Sequence, residues 1–169
     1  MKLAPFAALA ACSLLVTACA SRPDETPVVP ETNTGGATDT RTTGPVPGSI
    51  ADFEQNAGDR VFFGLDRFDL DNASRETLRR QAAWLAQYPG TRILVAGNCD
   101  ERGTREYNLA LGARRANSVR DFLVSQGVDA SRISTVSYGK ERPSCTQSTE
   151  SCWAQNRNSI TVVTSGAVS

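Results

Sequence analysis

The chain has 169 residues and a formal net charge of zero, from 18 basic and 18 acidic side chains. That length fits one domain with additional segments, and the balanced charge lacks the basic footprint of a nucleic-acid binder. Histidine is absent, which removes the commonest general base and the commonest zinc ligand, and the five cysteines are too few and too scattered for a disulfide-framework miniprotein.

The N-terminus reads as an export signal. Lys2 precedes an apolar run from Leu3 to Val16, too short to span a bilayer comfortably. Val16-Thr17-Ala18-Cys19 has the pattern of a lipobox, so residues 1–18 are expected to be removed. Cys19 is then expected to carry an N-acyl chain and an S-diacylglycerol, a firm anchor where a single chain would be marginal. Leu9-Ala10-Ala11-Cys12 fits the same short pattern, but cutting there leaves a very short apolar core and an apolar mature N-terminus. An ordinary secretory signal is the remaining alternative. Ala20 follows Cys19, in place of the aspartate that retains such lipoproteins in the inner membrane. The expected location is the outer membrane, with the rest of the chain in the periplasm.

Residues 19–48 read as a lipidated start and a linker. Ala20 to Gly48 is rich in Pro, Thr and Gly and has no aromatic residue, so it cannot bury enough apolar surface to offset its ordering entropy. About thirty residues reach at most roughly 100 Å fully extended and average about 30 Å as a flexible coil.

The folded domain is expected over 49–169. Arg60 to Leu65 is a short apolar strand. Asp71 and Asn72 are N-cap candidates for a helix from about Ala73 to Tyr88, with Leu78, Ala82 and Leu85 as its core stripe and Pro89-Gly90 as its stop. Thr91 to Gly97 is apolar on both parities, as in a strand buried on both faces. A second helix ends at Gly127, a third strand covers Arg132 to Tyr138, a helical turn lies near Trp153 to Asn156, and a last strand runs from Ser159 to Thr164. The order β-α-β-α-β-β implies an α/β sandwich, a mixed sheet with two main helices on one face.

Between the second strand and the second helix lies GNCDERGTREYN, Gly97 to Asn108. Gly103 permits a tight turn there. On the helix that follows, Tyr107, Leu111, Val119 and Leu123 share one face at i+4 spacing, and Arg115 stands on the same row. Arg114, Asn117, Arg120 and Asp121 fall elsewhere and read as a solvated face. An arginine inside an apolar stripe must snorkel out or meet an anion. A structural ion pair explains it as readily as a ligand does. The nearest acid is Asp100, just past the carboxyl end of the second strand, where open α/β sheets favour ligands. One carboxylate and one guanidinium beside one crevice suit a zwitterionic amino-acid head. The other charges of the stretch, Glu101, Arg102, Arg105 and Glu106, read as solvated or in weak local pairs.

The run from Gly97 to Pro143, with its pattern Asp100-x-x-Gly103-x-x-x-Tyr107-Asn108-x-x-Leu111-Gly112-x-Arg114-Arg115-Ala116, resembles the OmpA-like peptidoglycan-binding domain family over about Arg60 to Val163. The pattern is long and specific. The resemblance implies noncovalent binding of the meso-diaminopimelate residue of the peptidoglycan stem, with Asp100 and Arg115 as ligand-binding residues and no cofactor. Asn108, one face with Arg115, is a weaker candidate. So are the loop Arg67-Phe68-Asp69-Leu70, through the backbone amides of Asp69 and Leu70, and Arg157 at the rim; a structural role for each is equally open. With the lipobox and linker, the chain resembles the lipid-anchored family members of the Tol system, which implies TolB, TolA and other envelope proteins as partners in envelope integrity and division. A wall-anchoring lipoprotein outside the Tol system would look much the same around the site. An enzyme is disfavoured, because nothing can activate Cys99 and no Ser-His-Asp or zinc set can be assembled. Cys145 and Cys152, in an oxidising compartment, are expected to form a disulfide. A regular helix between them would hold them about 10.5 Å apart, beyond the roughly 7 Å limit for a bridge, so a turn is required. Cys99 is then the odd thiol.

Overall fold

The computed structural model describes residues 44–168. The signal segment, Cys19 and the linker up to residue 43 lie outside the described residues. Gly48, at the end of the expected linker, is already tied to the domain: its N–H donates to Asp52 Oδ2 at 2.8 Å, and its carbonyl accepts from Val168 N at 2.9 Å.

An element absent from the sequence reading comes first. Helix α1, Ile50–Asp52, is capped by the Ser49 hydroxyl and continues as a wider turn through Phe53–Ala57. It plants Phe53 edge-on against Trp84, with ring centroids 5.0 Å apart. Asp52 beneath it accepts hydrogen bonds from Gly48 N, Trp84 Nε1 and Asn56 Nδ2. These contacts, led by the Gly48 N–H and then the Trp84 indole, hold the Asp52 carboxyl below the usual carboxylate range.

Strand β1 is Arg60–Phe62, shorter than expected because the chain leaves the sheet at Phe63 to form the loop below the site. Helix α2, Asn72–Gln87, starts where the Asp71 carboxylate accepts from Ser74 N at 2.7 Å. Strand β2 is Arg92–Asn98, helix α3 Arg105–Ser125, strand β3 Ile133–Gly139, helix α4 Glu150–Asn156 and strand β4 Asn158–Ser165. The sheet order is β1-β4-β2-β3, with β2 and β3 parallel and the other pairs antiparallel. This is the expected mixed α/β sandwich.

Leu78 and Leu85 of α2 and Ala116, Val119 and Leu123 of α3 meet Val61, Ile93, Val95, Ile133 and Val163 of the sheet in one core. Helix row and strand alternation put these residues on facing surfaces, and their burial supplies the main driving force. The opposite sheet face carries Phe62, Leu94, Ile160 and Val162, and Phe62 and Val162 are exposed. On that face of β2 Leu94 is half-buried and Ala96 and Asn98 are buried, so the strand is covered on both faces toward its carboxyl end, as its apolar sequence predicts. Tyr107 also departs from its expected row. In the first turn of α3 it is exposed and reaches the loop after β1, where its hydroxyl donates to Asp66.

Two glycines set how closely α3 lies on β2. A Cβ at Gly97 would fall 1.9 Å from the carbonyl oxygen of Gly112, and one at Gly112 would fall 2.3 Å from Ser137 Oγ. Only hydrogen at both positions allows this contact. It brings Arg115, one helical turn beyond Gly112, down to the carboxyl end of β2.

Candidate ligand-binding site

The chain leaves β2 through Cys99 and Asp100 and returns as α3. Gly103, at φ +86°, occupies the left-handed region that closes this turn. Thr104 then caps α3 by accepting from Tyr107 N. Asn108 locks the turn from within, its Nδ2 donating to the carbonyls of Arg102 at 2.7 Å and Thr104 at 3.0 Å. Its buried amide thus holds the segment that carries Asp100.

Arg115 is completely buried, at 0% exposure. Its Nε donates to the Arg67 carbonyl at 2.8 Å, Nη1 to the Asn98 carbonyl at 2.7 Å and Nη2 to the Gly64 carbonyl at 3.1 Å. The Phe63 ring lies 5.1 Å from the guanidinium carbon. Among the described residues, no carboxylate comes within 4.0 Å of it. Of the two readings open from sequence, the structural ion pair is not what the fold contains: chain carbonyls, not an acid, hold this cation. A guanidinium has five N–H donors, so two remain after these three bonds. Burial lowers the basicity of Arg115, partly offset by the negative potential of Asp100, but an arginine stays charged in proteins.

Asp100 is also buried, and its partners are two arginine side chains and one backbone N–H. Oδ1 accepts from Arg102 N at 3.1 Å and Arg102 Nε at 3.2 Å, while Oδ2 accepts from Arg102 Nη2 at 2.7 Å and Arg157 Nη1 at 3.4 Å. Burial alone would push this carboxyl up; the Arg102 side chain, its backbone N–H and Arg157 outweigh that and hold it below the usual range. Arg102 makes a local pair with Asp100, one of the two expectations for it, and it has partners beyond that pair. It stacks over Trp153 at 4.2 Å and lies 3.6 Å from Glu150. Glu101 is engaged as well, accepting from Trp153 Nε1 at 2.9 Å. Arg157, a weak candidate from sequence, is buried between Asp100 and Glu150, bonding the latter at 2.8 Å.

Trp153 and Glu150 lie on α4, and Arg157 follows it. Cys145 and Cys152 are disulfide-bonded with Cα atoms 5.3 Å apart. The helix starts only at Glu150, so the preceding residues make the turn that the bridge requires. This ties α4 into place beside Asp100.

Asp100 and Arg115 face one cavity of about 360 Å³, also lined by Leu65, Asp66, Cys99, Tyr107 and Asn108. The loop after β1 enters differently from expectation. Asp69 is exposed and pairs with Arg67 at 2.7 Å, and Leu70 packs against the core. Leu65, the last residue of the apolar run, and Asp66 after it line the cavity in their place, while the carbonyls of Gly64 and Arg67 face Arg115. Asp66 is at φ 55°, unusual for a residue with a Cβ and a mark of a constrained turn. No sequence periodicity reaches a loop residue of this kind. Cys99 is buried, donates to the Asn108 carbonyl at 3.4 Å, and has its thiol pKa pushed up by burial. It fills space beside the cavity as a small apolar group.

A mixed sheet with two helices on one face, and a cavity between an acid at a strand end and an arginine on the following helix, define the class. The sequence pattern of the OmpA family matches residues 62–158, and the chain belongs to that family. It is 49% identical over 151 residues to the peptidoglycan-associated lipoprotein of Agrobacterium fabrum, covering 89% of this chain and 82% of the relative. It is 57% identical over 121 residues to that of Mesorhizobium japonicum, covering 72% and 71%. The crystal structure of the peptidoglycan-associated lipoprotein from Burkholderia pseudomallei superimposes with a TM-score of 0.63 at 38% identity, covering 66% of this chain and 96% of that one.

Proposed function

We propose that this chain is an outer-membrane lipoprotein that tethers the membrane noncovalently to peptidoglycan by gripping diaminopimelate in the stem peptide. The observation that carries the ligand reading is Arg115, a buried cation with no acid beside it, facing a cavity opposite Asp100. A buried charge without a counter-ion is costly, and a guanidinium suits a carboxylate through paired N–H groups. The free centre of diaminopimelate carries one carboxylate and one ammonium. Arg115 takes the first and Asp100 the second. Lysine in the same place has the ammonium but no carboxylate.

The rest of the reading extends from sequence and relatives. Residues 1–18 are removed, Cys19 is lipidated, residues 19–48 lead from the membrane, and the domain over 49–169 works in the periplasm as a binding module without catalysis. Membership beside peptidoglycan-associated lipoproteins supports partners in the Tol system, TolB first and TolA second, and a role in envelope integrity and division. Co-sedimentation with purified peptidoglycan tests the site. Asp100→Asn keeps the size of the head and Arg115→Lys keeps the charge without the planar fork, and each is expected to reduce the bound fraction at least tenfold. Wild-type recovery with both variants sinks the assignment.

A further inference from the structure

We infer that Arg102 is an internal occupant of the ligand's ammonium position, a latch that must leave Asp100 before a cationic group can bind there. A carboxylate offers about four acceptor positions. All four on Asp100 are taken: Oδ1 by the backbone N–H and Nε of Arg102, Oδ2 by Arg102 Nη2 and Arg157 Nη1. An ammonium cannot add to this set; it can only replace a member.

Arg102 is the member that can go. Its backbone bond belongs to the turn, and Arg157 is buried and also held by Glu150 and the Phe63 carbonyl. The Arg102 side chain is about one-third exposed, at 34%. It also has somewhere to go: its guanidinium already lies over Trp153 at 4.2 Å and 3.6 Å from Glu150. Swinging away from Asp100 exchanges one charged partner for another and keeps the stacking. Both partners sit on α4, which the Cys145–Cys152 bridge fixes. The disulfide-closed segment is thus the resting place of the latch. The arrangement also screens ligands, because a cation binds only if its contacts, including those of its carboxylate with Arg115, outweigh the fork of Arg102.

The inference rests on the reading that Asp100 is the ammonium end of the cavity. Its test is a titration of the full-length protein with a diaminopimelate-containing stem peptide, using wild type, Arg102→Gln, Arg102→Lys and Asp100→Asn. Arg102→Gln keeps the turn's backbone N–H but removes the fork. It is expected to bind about three- to tenfold more tightly, the scale of a half-exposed charge-assisted contact, with Arg102→Lys between it and wild type. In wild type, the Arg102 Nε–H NMR signal is expected to lose its protection from solvent exchange as peptide saturates the site. Equal or weaker binding by Arg102→Gln, or an Nε–H that stays protected at saturation, overturns the latch; if Asp100→Asn still abolishes binding, the site reading survives. If Asp100→Asn binds like wild type, both fail.

Discussion

Arg115 and Asp100 face the same cavity, yet they are held by different means. Arg115 is gripped by three main-chain carbonyls from β2 and the loop after β1, so its position is fixed by the fold itself. Asp100 is gripped mainly by side chains, Arg102 of its own turn and Arg157 just after α4, and the first of these is a third exposed. The carboxylate-binding end is therefore rigid and built into the core. The ammonium-binding end is adjustable, and its electrostatics change with the position of Arg102.

Stability measurements sharpen this contrast most. Arg115→Ala removes the donors of three carbonyls, with costs of about 1–3 kcal/mol for each that stays buried and unsatisfied, and is expected to lower unfolding free energy by roughly 3–5 kcal/mol. Asp100→Asn, with an amide oxygen still available to Arg102 and Arg157, is expected to cost about 1 kcal/mol. Denaturant titration reads both, and equal losses break the comparison. Next in size, Gly97→Ala drives a methyl group into the Gly112 carbonyl and is expected to cost about 1–3 kcal/mol and to weaken peptide binding by lifting α3 and Arg115 from Asn98. Gly90→Ala, with nothing within 4 Å of its added Cβ, is expected to stay within about 0.5 kcal/mol. Similar losses for the two would remove the close contact from the account.

The smallest effect is in acid. Asp100 has a folded pKa below its unfolded value of about 3.9. Its contribution to stability is full above the unfolded pKa and is lost as pH falls through the folded one. The stability difference between wild type and Asp100→Asn is expected to be constant from pH 7 to about 5 and to shrink only below about 4. A difference already shrinking above pH 5 would mean that Asp100 is not held by the arginines.

The sheet and α2 were legible because burial leaves a period in the sequence: Leu78, Ala82 and Leu85 mark one face, and Asp71 marks the start. Arg115 was legible as a break in such a period. What it touches was not, since its partners are carbonyls, which every residue carries. The local pairing of Arg102 was legible, but its neighbours Glu150 and Trp153 come from α4, nearly fifty positions on, and local spacing says nothing about them. Asp66 was missed for a related reason, since its place follows from the conformation of a loop. Helix α1 escaped because three helical residues and a wider turn leave no repeat to read.

The claim at the centre is that the cavity takes a carboxylate and an ammonium on one carbon, between Arg115 and Asp100. The most direct measurement is calorimetric titration of the protein with a stem peptide containing diaminopimelate, against the same peptide containing lysine. The two differ by one carboxylate. The account predicts binding of the first and at least a tenfold weaker response to the second, with that difference abolished in Arg115→Lys. Equal affinity for the two peptides would contradict it.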